Sequence, residues 1–380
     1  MLSSNLDFES IGKVENYMKG ALIVNATIEA CDPLDGRTYG VINRSDLCKI
    51  NSNLTSITGQ SYARAAETSS SLGFGFSKRQ DAGSTTTSSP AQNATINEHD
   101  IAIAQTIYDG LFTPSGKRVY LSFQNGAELE DAVTEYDNTT GSYTYEIPTT
   151  GRVFVAKFLK QIDEDSLTTL ENANYDILFE WMEEGLAKYY DTLQTTLPDI
   201  SAFTDNGAKL LHYHGESDPS VPAGSSVHYY DSVRTTLYPS FGYNESVAKL
   251  DDFYRFFYIP GAAHSLPGIY PANRHIAGRI PKKIPGYTRV NPTRCPILLQ
   301  PGPWPNNVLA TLISWVEDNE VPDRLNSTVT FGSYDGEAQL LCKWPTRPLW
   351  TSETTFDCVY DQASIDSWIY VFDAFNQTIY

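Results

Sequence analysis

The sequence predicts an α/β fold, and three observations carry that prediction. The apolar run Leu210-Leu211 ends in His-Gly-Glu-Ser-Asp-Pro, and a helix-like segment follows. The aromatic run Phe253 to Ile259 breaks at Pro260-Gly261 and leads into a loop carrying His264. Each is the pattern of a buried strand whose C-terminal end opens into a loop. Helical spacing recurs between and after them, as alternating strands and helices in an α/β chain require.

The stretch Lys209–Pro222, KLLHYHGESDPSVP, organises the rest. It places the acid Asp218 just past one strand, and 46 residues later His264 stands just past the next. An acid and then a histidine, each at a strand end, is the order of the second and third members of an α/β-hydrolase triad. The first member, a nucleophile on a sharp strand-to-helix turn, is not found. No Gly-x-Ser-x-Gly occurs in the chain. Gly215-Glu216-Ser217-Asp218-Pro219 lacks the closing glycine and reads as the acid loop. His212 and His214 flank that loop and read as structural or substrate-near residues.

A chain of 380 residues with 41% hydrophobic and 12% aromatic residues can bury a large core. No apolar run approaches the length of a membrane span. A net charge of −19 disfavours nucleic acid as a partner, because the phosphate backbone would be repelled. Asn-x-Ser/Thr sequons stand at Asn25, Asn43, Asn53, Asn93, Asn138, Asn244, Asn326 and Asn376. Together they favour a secreted glycoprotein over chance in a Ser/Thr-rich chain. The N-terminus MLSSNLDFESIGKVENYMKG has no basic start followed by an apolar core, so a signal peptide is not visible. The expectation is an N-terminally incomplete version of a longer secreted protein.

Five cysteines fit that compartment. Short spacings suggest the pairs Cys31–Cys48 and Cys342–Cys358. Cys295 is then odd and asks for a missing partner.

Along the chain, residues 1–24 form a divergent N-terminus. Residues 25–62 read as a loop region around the first cysteine pair. Asp32 and Asp35, with turn-forming Gly36 and Gly40, suit a hard cation such as calcium. An Asx-turn pair without metal is the alternative. Residues 78–97 form a Ser/Thr-rich linker headed by Lys78-Arg79. That dibasic pair reads either as a secretory processing site or as an ordinary surface pair. Helical spacing appears over 98–112, 176–194 and 306–319, and 115–155 looks rich in strands and turns. The last helix, with Val308, Leu309, Leu312, Ile313 and Val316 on one stripe, is expected to cover a face of the sheet. Residues 327–380 form a strand-and-loop tail. The expected division is a lid domain over 25–204 and a C-terminal core over 205–380.

Residues 265–294 stand apart. They hold six Lys/Arg and no Asp or Glu, inside an acidic chain. They are read as an anomalous insertion, of the kind a translated intron would produce. A genuine basic, partner-binding loop is the other reading.

The chain resembles the fungal tannase and feruloyl esterase family of secreted carboxylic ester hydrolases. The resemblance rests on NATIEACDPLDGRTYGV (25–41), the KRQ-led linker, DTLQTTLPD (191–199), LLHYHGESDPSVPA (210–223), IPGAAH (259–264) and KWPTRPLW (343–350). It implies a partial α/β-hydrolase core with a large inserted lid domain, and serine acyl transfer on galloyl or related phenolic-acid esters. Asp218 is then the acid and His264 the base. Cys295 becomes the histidine-side half of a disulfide whose partner precedes the nucleophile. The resemblance implies structural calcium held by Asp32, Asp35, Arg37, Tyr39 and Val41, with Arg37 and Val41 acting through backbone carbonyls. Tyr39 stands where an aspartate is expected and weakens that site. Lys78-Arg79 becomes a processing site splitting a precursor into disulfide-linked chains, and the missing N-terminal portion becomes a partner. Without the serine, the polypeptide is expected to be inactive by itself. The alternative is a non-catalytic secreted glycoprotein, or one subunit of a two-chain assembly.

Overall fold

The computed structural model describes residues 17–64, 67–69, 87–89, 92–129, 134–145, 149–163, 174–193, 197–264 and 300–375. Lys78, Arg79, Cys295 and the insertion 265–294 lie outside the described residues.

The first half is mainly helical. Helix α1 (Tyr17–Cys31) crosses the boundary expected at residue 25. It does so because Ile23 and Val24 need burial, and they pack with Leu54, Ile57, Ile96, Ile101 and Tyr108. A 3-10 turn (Asp32–Asp35) and helix α2 (Ser45–Asn51) follow, where an irregular loop was expected. The Cys31–Cys48 disulfide joins α1 to α2.

Within the Ser/Thr-rich linker the described residues 87–89 and 92–95 form strands, where none was expected. Strands β1 (Ser61–Arg64) and β2 (Glu67–Ser69) pair antiparallel with β4 (Gln92–Thr95) and β3 (Thr87–Ser89), respectively. A composition that cannot build a core can still satisfy its backbone in a ladder. Helix α3 (Glu98–Asp109) follows, started by an Asn97/Asp100 capping box.

The hairpin β5 (Thr134–Asp137) and β6 (Ser142–Tyr145) meets the strand expectation. The chain then turns helical, in α4 (Thr149–Phe154) and a π-helical stretch Val155–Lys160. The spacing of Val155, Ala156 and Leu159, all buried, explains why a strand loses there. Helices α5 (Tyr175–Tyr189) and α6 (Ser201–Asp205) complete this half.

The second half positions the candidate site. Strand β7 (Leu210–Gly215) runs parallel to β8 (Tyr254–Ile259), in register Leu210↔Tyr254 to Gly215↔Ile259. Helices α7 (Gly224–Leu237) and α8 (Tyr243–Leu250) make the crossover a parallel pair needs. Every residue of β8 is buried. Tyr254, Phe256 and Tyr258 pack on Val227, Tyr230, Val233, Leu250, Trp344 and Trp368. Phe257 and Ile259 take the other face, with Leu325 and Leu341. Burial on both faces is why β8 reads as a continuous aromatic run rather than an alternating one.

The tail follows expectation. Strands β9 (Pro303–Pro305), β10 (Arg324–Val329) and β11 (Ala338–Cys342) form an antiparallel sheet, and β12 (Thr346–Trp350) pairs with β13 (Phe356–Tyr360). The Cys342–Cys358 disulfide links β11 to β13. A loop of this length contributes about 3 kcal/mol in the chain-entropy picture. Helix α9 (Val308–Glu317) departs from expectation. Leu309, Ile313 and Val316 of its apolar stripe are exposed, and Trp315 is the buried residue of that helix. The last described helix is α10 (Gln362–Ser367).

Candidate active site

The parallel pair brings the acid loop and the histidine loop to the same end of the sheet. Glu216 N–H donates to Ile259 O at 2.9 Å, and Ser217 N–H to Ala262 O at 3.0 Å. Gly215 makes this approach possible. A Cβ there would lie 2.5 Å from Ala262 O and 2.8 Å from Ala263 O. Only a residue without a side chain lets the loops lie this close.

Asp218 and His264 meet at that end. His264 Nδ1 lies 3.0 Å from Asp218 Oδ2. Asp218 is 3% exposed, whereas the His264 side chain is 46% exposed. The other carboxylate oxygen, Oδ1, accepts the N–H groups of Ser220 (2.8 Å) and Val221 (2.9 Å). Burial pushes this carboxyl up. A hydrogen bond from His214 and the two backbone N–H groups outweigh it and hold the carboxyl below its ordinary range. The arrangement is a fixed carboxylate on one side of an imidazole whose other edge is accessible. Such a pair can take a proton from a hydroxyl at Nε2 and stabilise the resulting imidazolium.

A buried ion network below the acid loop was not legible in the sequence. Glu216, Arg347, Asp46 and Arg44 are each 2% exposed or less. Arg347 Nη2 donates to Glu216 Oε1, to Asn43 O (3.1 Å) and to Asp46 Oδ1 (3.4 Å). Ser45 Oγ donates to Glu216 Oε1 at 2.6 Å. Arg44 Nη2 bridges Asp46 and Asp361, both at 2.7 Å. Burial pulls the Arg347 guanidinium down, but Glu216 and Asp46 outweigh that and hold it fully charged. The network pins residues 43–46, the acid loop and the tail to one another. Gln300 adds a neutral tie: it accepts Ile42 N–H (2.7 Å) and donates to Ser217 Oγ (2.8 Å). The hint in the sequence was an arginine and a glutamate inside two motif stretches, but 131 residues separate them.

The residues offered for calcium lie together, yet they fit the ion poorly. Asp32 accepts the N–H groups of Tyr39, Gly40 and Val41 at 2.7–3.2 Å. Asp35 accepts Arg37 N–H (2.9 Å) and the Tyr39 hydroxyl (3.0 Å). The four carboxylate oxygens are thus taken by the chain's own donors, and Tyr39 gives a proton where a calcium ligand would give a lone pair. The Arg37 side chain turns away, to Glu337 at 2.7 and 2.9 Å, between the rings of Tyr334 and Trp350. No cluster of three or more His, Cys, Asp or Glu suited to a metal occurs among the described residues.

A sequence model of the family described as "Tannase and feruloyl esterase" matches residues 9–365. The chain belongs to the tannase and feruloyl esterase family. It is 50% identical over 365 residues to a tannase of Aspergillus oryzae, covering 94% of this chain and 57% of that protein. It is 26% identical over 355 residues to feruloyl esterase C of Talaromyces stipitatus, covering 89% of this chain and 53% of that protein. Its structure matches tannin acyl hydrolase from Aspergillus niger with a TM-score of 0.81 and 36% identity, covering 98% of this chain and 59% of that one. The fold class is therefore α/β, of the hydrolase type that this family carries. The chain spans just over half the length of these relatives.

Proposed function

We propose that this chain supplies the acid and the base of a serine ester hydrolase acting on galloyl or related phenolic-acid esters. The observation that carries the proposal is the 3.0 Å approach of His264 Nδ1 to the buried Asp218 carboxylate at adjoining strand ends. Asp218 holds the Nδ1–H tautomer, and His264 Nε2 takes the proton of an attacking serine hydroxyl and returns it to the leaving alcohol or phenol. The likeness to a tannase at 50% identity supports the acyl class. The nucleophile comes from outside residues 1–380, since no nucleophile elbow occurs in them. In this reading residues 25–204 are the lid, residues 205–380 belong to the core, and Cys295 clamps the histidine loop to the nucleophile's loop. The protein is a secreted glycoprotein processed at Lys78-Arg79. Sequons at Asn53, Asn138, Asn244 and Asn326 are exposed, whereas Asn43 is buried and unsuited to modification. No helix among the described residues is long and apolar enough to cross a membrane.

The test is methyl gallate hydrolysis by the chain as it stands. The expected result is no turnover above buffer. Turnover abolished by His264→Ala would show that a nucleophile lies within the chain after all.

A second reading, one subunit of a two-chain assembly, is favoured by a specific surface. Among the described residues β7 is paired on one edge, and the exposed Leu309, Ile313 and Val316 lie on α9. An unpaired strand edge and an exposed apolar stripe each invite a partner chain. A sedimentation measurement showing a stable hetero-complex, without ester hydrolysis, would favour this reading.

The 31–41 loop is proposed to hold without calcium, through Asp32, Asp35 and Tyr39. The thermal midpoint of the protein is expected to stay unchanged by millimolar calcium or by a chelator. Tyr39→Asp should create a calcium-dependent rise. A rise in the unmodified protein that Asp32→Asn removes would contradict the proposal.

A further inference from the structure

We propose that His214, Ser226, His212 and Tyr254 form a one-directional hydrogen-bond chain that positions the Asp218 carboxylate for His264. The inference takes its functional meaning from the ester-hydrolase reading, although its geometry stands without it. His214 Nε2 lies 3.3 Å from Asp218 Oδ2, the same oxygen that meets His264. His214 Nδ1 lies 2.6 Å from Ser226 Oγ. Ser226 Oγ lies 3.1 Å from His212 Nε2. His212 Nδ1 lies 2.9 Å from the Tyr254 hydroxyl.

The polarity follows from the chemistry of each atom. An ionised carboxylate only accepts, so His214 carries its proton on Nε2. A neutral His214 then has a bare Nδ1, which accepts the Ser226 hydroxyl proton. Ser226 has one proton and has given it away, so it accepts from His212 Nε2–H. His212 is half-buried by the surface around it and enclosed by Ser226, Tyr254 and Phe256, and desolvation brings it down to about 4, so it is neutral. Its Nδ1 is therefore bare and accepts the Tyr254 O–H. Tyr254 is fully buried and burial pushes its hydroxyl far up, so it keeps that proton. Each donor has an acceptor, and none of the four side chains has a choice left.

The placement follows from the strand. His212 and His214 are two residues apart on β7, so they share a face. That face packs on α7, which presents Ser226. The consequence is a carboxylate held on three sides. Oδ1 takes two backbone N–H groups, and Oδ2 takes His214 and His264. His214 is a positioning residue: it fixes the rotation of Asp218 so that Oδ2 faces His264. Its own orientation depends on Ser226.

Nitrogen-15 NMR of the histidine rings tests this in the chain as it exists, above the ordinary histidine titration range. The expected spectrum shows His214 and His212 protonated on Nε2, His264 protonated on Nδ1, and a slowly exchanging downfield proton on His214 Nε2. Ser226→Ala should abolish that downfield proton through exchange with solvent. Ser226→Thr should restore it, and Ser232→Ala, on the same helix, should leave it intact. Alanine keeps the Cβ and removes only the hydroxyl, so a role for Ser226 in packing through its carbon would leave the signal in place. Thermal melts confirm that each variant is folded; should Ser226→Ala unfold, Tyr254→Phe serves instead and should release His212 from its single tautomer. A His214 proton on Nδ1, or a downfield signal that survives Ser226→Ala unchanged, overturns the proposal. A His264 ring without a proton on Nδ1 would count against the acid–base reading, separately from the relay.

Discussion

Arg347→Met is expected to cost about 3–5 kcal/mol of folding stability, read as a fall in the chemical denaturation midpoint. The size follows from what the substitution leaves behind. Methionine fills much of the volume, so packing loss is small. Glu216 and Asp46 remain, each at most 1% exposed, with their shared cation gone. An uncompensated buried carboxylate is far more costly than the intact pair is favourable. For the same reason Arg347→Met combined with Glu216→Gln should cost less than Arg347→Met alone. Non-additivity of that sign is the signature of direct coupling. Equal and additive losses would show that Arg347 acts by packing on Tyr258 and Trp368, whose rings lie 5.2 and 6.0 Å from its guanidinium carbon.

Gly215→Ala should have the next largest effect, and it acts on the site itself. Its Cβ would meet the carbonyl oxygens of Ala262 and Ala263 inside van der Waals contact. These are backbone atoms, so the histidine loop has to move rather than a side chain. The stability cost is about 1–3 kcal/mol, the range for forcing extra volume into a packed region. The loop also carries His264, so the 3.0 Å contact with Asp218 opens. The His264 Nδ1 proton should then exchange rapidly with solvent. Gly207→Ala serves as a control for composition, since nothing lies within 4 Å of its would-be Cβ, although its backbone is left-handed. An unchanged His264 signal in Gly215→Ala would contradict the close-approach argument.

The parts of the fold visible in the sequence are those written locally. Strand ends at His214-Gly215 and Ile259-Pro260 carry their own stop signals, and they delivered Asp218 and His264 to one place. Short cysteine spacings foretold both described disulfides. What stayed hidden depends on partners far along the chain. Glu216 looks like an ordinary loop acid until Arg347 is seen beside it. Ser226 looks like a helix-start serine until two histidines converge on it. Tyr39 was read as a poor calcium ligand, but its role as a donor to Asp35 needed coordinates. The α9 stripe was read correctly as helical and incorrectly as buried, because periodicity reports a face and not what covers it.

The central claim is that Asp218 and His264 are the acid and base of an ester hydrolase whose nucleophile lies elsewhere. Joining this chain to the portion of the Aspergillus oryzae tannase that it does not match, and assaying methyl gallate, tests it most directly. The account predicts turnover in the fusion and none in the chain alone, with a loss of roughly 10³-fold or more in His264→Ala, the scale of removing a catalytic base. Turnover in the fusion that survives both His264→Ala and Asp218→Ala would contradict it.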